Sequence, residues 1–232
     1  MTSSAPTAGA GALAGHLQQL KALRGSRQGQ PPRLAELKRW QSERLTRTYA
    51  DMASQPRYRA AISFFIEDLY GPKDFSARDR EMLRIVPVMT RILPRSAVET
   101  AALAIELEAL SEDLDQRLAA ALGTAALNEA AYANAYRESS SRAQRIRQIE
   151  LIGAVGHRLD ALVKKPLVAR TLRLMRRPAH VAGLGDLQDF LERGFEAFRA
   201  MDGADEFLEL IRNREERILS RLFSGEPEPF SV

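Results

Sequence analysis

There is no cysteine in the chain, which excludes a disulfide, a thiolate nucleophile, a zinc finger and an iron–sulfur cluster. The absence fits a reducing cytoplasm, where the protein is expected. Histidine is almost as scarce, with only His16, His157 and His180. A di-iron site in a helical bundle needs Glu-x-x-His on two helices, and the sequence has no such step. Long apolar runs are also missing. The first twenty residues carry no formal charge, yet they are mostly Ala, Gly, Ser and Thr. They lack the basic start and leucine-rich centre of a signal peptide, so no membrane span or signal is expected. No Gly-x-Ser-x-Gly elbow, Walker loop or dinucleotide fingerprint occurs, and Gly183-Leu184-Gly185 lacks the strand a fingerprint requires. No cofactor and no metal are expected, and the reading leans against an enzyme.

What is present describes a globular chain. Its 232 residues are 45% hydrophobic and 28% charged, enough for one sizeable core. Residues 1–30 read as a disordered or loosely helical tail, 31–224 as a single domain and 225–232 as a flexible C-terminal tail. The net charge is +4. From Arg137 to Arg177, eleven Lys/Arg face only Glu138, Glu150 and Asp160, a local balance of +8 that leaves −4 for the rest.

Nearly every segment has helical period and none alternates as a half-buried strand does. The fold class is therefore all-α: a bundle of nine to ten helices without a sheet. A short helix is expected over Leu13–Arg24 and a longer one over Arg33–Met52. The next starts at Pro56 and runs to Tyr70, where Gly71 and Pro72 stop it. A capping box at Ser76 and Asp79 restarts the chain, and Pro87 kinks or breaks that helix. Ser96-x-x-Glu99 reads as a second capping box, for a helix to Leu110, with Ser111 capping another that closes near Gly123. Asn128–Arg137 follows. The serines at 139–141 then cap a long helix to Val163, Pro166 starts or kinks its continuation to Arg176, and Pro178–Gly185 forms a loop. Two amphipathic helices finish the domain, with stripes Leu187, Phe190, Leu191, Phe195, Phe198 and Phe207, Leu208, Ile211, Ile218, Leu219, Leu222.

One block is unusually dense: Phe64, Phe65, Ile66, Glu67, Asp68, Leu69, Tyr70, Gly71, Pro72, Lys73, Asp74 and Phe75. It resembles the signature of the bacterial FFLEELY motif proteins, with Ile66 and Asp68 where that signature has Leu and Glu. The resemblance extends loosely over residues 33–223. It implies a helical bacterial domain of unknown function and supplies no catalytic residues. The residues themselves predict an aromatic core helix, a Gly-Pro stop and a capped restart. Glu67 and Asp68 lie three and four positions after Phe64, so at least one carboxylate falls near the buried surface and needs a partner.

Glu67, Asp68, Glu106 and His157 are the candidate acid, base or ligand groups. Glu99 and Glu106, seven apart, point the same way from one helix. Arg142, Arg145, Arg170, Arg173 and Arg177 are candidate anion-binding residues, with an amphipathic cationic face at 170, 173 and 177. Three functional readings follow: contact with another protein or self-association; nucleic-acid or anion binding through 137–177; and a cofactor-dependent enzyme or haem-type sensor using His157.

Overall fold

The computed structural model describes residues 7–25, 33–69, 81 and 95–231. Among these residues the protein is all-α, with ten α-helices, one π-helical turn and no strand. The helices are α1 (Thr7–Gly25), α2 (Arg33–Thr48), α3 (Ala50–Ser54), α4 (Pro56–Phe64), α5 (Arg95–Leu122), α6 (Glu129–Ser139), α7 (Arg142–Val163), α8 (Pro166–Val181), α9 (Gly185–Ala200) and α10 (Asp205–Ser224). The π turn, Phe65–Leu69, continues directly from α4.

Three apolar clusters hold these elements together. Leu13, Leu17 and Leu20 bury α1 against Val98, Ala102, Ile105 and Ala109 of α5, which makes this segment a packed helix longer than Leu13–Arg24. At the far end of α5, Leu118 and Leu122 meet Leu37 of α2, Tyr132 and Tyr136 of α6 and Leu219 and Leu222 of α10. Trp40 stacks on Tyr132 with ring centres 4.5 Å apart, and Phe230 closes edge-on against both. Phe230 therefore ties the segment after Gly225 onto the domain. The third cluster joins α3 and α4 to Phe198, Met201, Phe207 and Leu208 of the last two helices.

Local signals account for several boundaries. Asn128 accepts from the Ala131 N–H at 2.9 Å, and Ser141 forms a full capping box with Gln144 at the head of α7. Gly225, at φ 72°, takes the left-handed position that ends α10, and the Glu226 N–H returns to the Arg221 carbonyl.

Elsewhere the boundaries differ from expectation. No break occurs at Ser111: α5 runs uninterrupted for 28 residues. The Ser111 hydroxyl instead accepts from Gln148 Nε2 of α7 at 2.8 Å, so its polarity is spent between helices rather than on a cap. Ser96 lies inside the first turn of α5, and Glu99 is held by Arg95 and Arg158. The helix expected through Met52 is interrupted at Tyr49 (φ −111°, ψ 16°), whose hydroxyl donates to Glu215 of α10 at 2.6 Å. The expected loop 178–185 is mostly helix, since α8 passes through Pro178 to Val181. Proline removes the donor that would reach the Leu174 carbonyl, yet the helix continues, and the Ala182 N–H closes on the Pro178 carbonyl at 3.0 Å. Tyr70, Gly71, Pro72, Asp74 and Phe75, the Ser76–Asp79 box and Pro87 lie outside the described residues.

Close packing of α7 on α10 yields a paired prediction. A Cβ at Gly156 would overlap the side chain of Leu208, which is buried and cannot swing away, whereas nothing lies within 4 Å of a Cβ at Gly153. Gly153→Ala should stabilise by about 0.5–1 kcal/mol through helix propensity. Gly156→Ala should destabilise by about 1–3 kcal/mol through overpacking. Denaturant melts of the two variants read the opposite signs directly.

Candidate functional site

The π turn gives the two phenylalanines of the motif different destinations. Phe64 lies 5.3 Å from the Phe190 ring, over Gly194, where a Cβ would sit 2.8 Å from Phe64 Cζ. Phe65 faces Phe198 at 6.1 Å and Phe207 at 5.9 Å. At the junction of α4 and the π turn the two adjacent rings leave the helix toward different neighbours on α9 and α10. The carboxylates divide as well. Asp68 is buried and receives a fork from Arg193 of α9, with Nε at 3.1 Å and Nη2 at 2.8 Å. Glu67 is exposed and accepts from the Ser63 hydroxyl one turn earlier at 2.8 Å.

The remaining acid–base candidates occupy separate places. Glu106 is bound by Arg147 at 2.7 Å, with His16 Nε2 3.9 Å away. Glu99 and Glu106 do share a face. They line a small cleft of about 200 Å³ with His16 and Arg158, but each already faces a guanidinium. His157 is exposed beside Asp205, at 3.3 Å. Glu67, Glu106 and His157 thus each have a different neighbour. His180 lies in the last turn of α8 rather than in a loop, with Nδ1 2.9 Å from the Arg176 carbonyl. Among the described residues no group of three or more His, Asp or Glu could hold a metal ion.

Most of the basic segment is spent inside the domain. Arg145 is buried, with its guanidinium 4.1 Å from the centre of the Tyr136 ring and Nε on Ser140 Oγ at 3.1 Å. Arg137 donates to the Leu222 carbonyl at 2.7 Å, and Arg158 and Arg147 hold Glu99 and Glu106. Lys164 pairs with Asp160, and Arg176 forks onto Glu192 of α9. Arg142, Arg170, Arg173 and Arg177 have no carboxylate partner among the described residues.

Three of those four stand on α8. Among the described residues α9 holds this helix: Gln188 donates to the Leu172 carbonyl at 2.8 Å, Glu192 takes Arg176, and Ala179 is buried. Its outer side carries Leu167 (68% exposed), Leu174 (70%) and Val181 (90%). Seven residues are almost two helical turns, so these side chains form one exposed apolar stripe. Arg170 and Arg177 flank it. On the arginine side an open cleft of about 640 Å³ lies between α8 and the end of α9, lined by Lys164, Arg170, Arg173, Leu174 and Arg199.

Two buried polar clusters had no local signature. Glu215 receives both the Tyr49 hydroxyl and Arg44, at 3.2 Å. Burial, reinforced by Glu215, pushes the Tyr49 hydroxyl well above its ordinary pKa. Glu112, 2% exposed, is held by Lys38 at 2.8 Å with Arg24 Nε at 3.7 Å. One turn on, desolvation at the α2–α5 seam raises the carboxyl of Asp115. Glu81 was also unsuspected: its Oε2 accepts from the Leu187 N–H in the first turn of α9 at 2.9 Å.

Two predictions follow from these partners. Arg193→Ala should cost about 1–2 kcal/mol, reduced by the solvent that reaches the guanidinium, while Glu67→Gln should stay within about 0.5 kcal/mol. Thermal melts separate the two. For Asp115 the folded pKa is raised, so ionisation opposes folding as pH rises through the unfolded and then the folded value. Asp115→Asn should therefore gain stability relative to the natural chain as pH rises through and above the ordinary carboxylate range, and a constant gap in paired denaturant titrations would contradict this.

The profile of a domain of unknown function, DUF8198, matches residues 21–229. No curated protein and no solved structure matches the chain. With most of its length covered, including every helix that fixes α8, the chain belongs to the DUF8198 family.

Proposed function

We propose that this domain acts by contact with another protein and that the outer face of α8 is the contact surface. The observation that carries the reading is the stripe of Leu167, Leu174 and Val181, exposed at seven-residue spacing beside arginines that have no carboxylate partner among the described residues. An apolar stripe left in water costs free energy that a partner would recover. The arginine flank selects the partner's chemistry: a helical segment with apolar residues bordered by carboxylates. Self-association suits the stripe less well, because a twofold antiparallel pairing would set the arginine flanks of two copies side by side. No helix among the described residues is long and apolar enough to cross a membrane.

A photo-crosslinking side chain placed at position 174 in the native host tests this. The expected outcome is one heterologous product whose crosslinked peptide is acidic, lost when Arg170, Arg173 and Arg177 are all changed to Glu while the melting temperature moves by no more than about 2 °C. A product of twice the chain mass would assign the face to self-association. A crosslink indifferent to the charge reversal would contradict the reading.

A further inference from the structure

The cleft beside α8 shares Leu174 with the apolar stripe, and its lining is electrostatically one-sided. Lys164 lines it from the end of α7, Arg170 and Arg173 from α8 and Arg199 from α9, and among the described residues no carboxylate lines it. Lys164 is offset by Asp160, and Arg199 has Glu196 at 3.5 Å on the exposed side. Arg170 and Arg173 have no such partner among the described residues. Elsewhere in the same basic segment the rule is the opposite, with Arg147, Arg158 and Arg176 each placed on a glutamate. Guanidinium groups converging on one space without counter-charge repel one another, and an anion between them removes that cost.

The first turn of α8 adds to the same field. It contains no acidic residue, its N-cap Lys165 makes no side-chain cap bond, and Pro166 at its start lines the cleft. The apolar part of the lining is Val163 of α7 together with Pro166, Ala169 and Leu174, which are interleaved with the arginines along α8. A volume of about 640 Å³ lies in the range of small-ligand sites. Planar guanidinium forks suit phosphate oxygens, and the apolar lining suits an organic group attached to them.

We propose that this cleft is a binding site for a phosphate ester, with Arg170, Arg173 and Arg199 taking the phosphate and Val163 and Leu174 taking the organic part. Arg170 and Leu174 serve both this cleft and the proposed contact face, whereas Leu167 and Val181 lie outside the cleft, so Leu167→Gln separates the two proposals.

The test is calorimetric titration of the full chain at low salt with ATP and, separately, with vesicles containing phosphatidic acid. Binding of ATP at one site per chain identifies a soluble ester. Vesicle binding with ATP silent identifies a lipid headgroup. Either result upholds the site if Arg173→Ala with Arg199→Ala weakens it by at least about tenfold while Leu167→Gln leaves it unchanged. Both arginines are solvent-facing, and near-ultraviolet circular dichroism verifies that the double variant is folded. Neither ligand binding at low salt would overturn the proposal, as would binding that the double variant retains. Tight binding of single-stranded RNA with both phosphate probes silent would overturn it too.

Discussion

The splaying of Phe64 and Phe65 is the contact on which the working face depends. Adjacent side chains diverge by about 100° on a regular α-turn, and the two rings leave the helix end toward different neighbours. The π turn lets Phe64 reach Phe190 over the bare backbone of Gly194 and Phe65 reach Phe198 and Phe207. One short turn thereby fixes both α9 and the start of α10. Asp68 adds the fork from Arg193, which fixes rotation of α9 as well as its distance. From α9 the constraint passes outward through Gln188 and Glu192 to α8. The motif is thus a bracket, and α8 is what the bracket presents.

Charge follows the same division of labour. A domain with a local excess of +8 between 137 and 177 could present one broad cationic surface. Instead α5 supplies Glu99 and Glu106 to the arginines of α7, and α9 supplies Glu192 to Arg176. Part of the excess is cancelled where helices pack, and three of the four arginines without a carboxylate partner among the described residues, Arg170, Arg173 and Arg177, stand on α8. Leu167, Leu174 and Val181, the most exposed of the large apolar residues among those described, occur on the same helix. Hydrophobic and cationic groups thus lie together in solvent on one element, which is what supports the proposed contact surface.

The helical class was legible because 3.6-residue periodicity runs through the chain, and the cap within the serines at 139–141 is a local event read from a few neighbours. Where the reading failed, the deciding group was far away in sequence. Ser111 has the look of a cap, yet Gln148 on another helix claims its hydroxyl. Pro178 has the look of a stop, yet α8 continues through it to Val181. The pair Glu67 and Asp68 could be singled out from spacing to Phe64, but only the approach of Arg193, 125 residues on, separates the buried carboxylate from the exposed one. The cleft escaped notice for the same reason, since Arg199 joins Arg170 and Arg173 only once α9 folds back along α8.

Hydrogen exchange in Phe64→Ala tests this account most directly. Removing the ring loosens α9 at Phe190 and Gly194, so protection should fall across α9 and, through Gln188 and Glu192, across α8, while α1 and the first half of α5 keep theirs. Loss confined to residues 56–69, with α8 and α9 unchanged, would contradict the claim that the motif holds the face this protein presents.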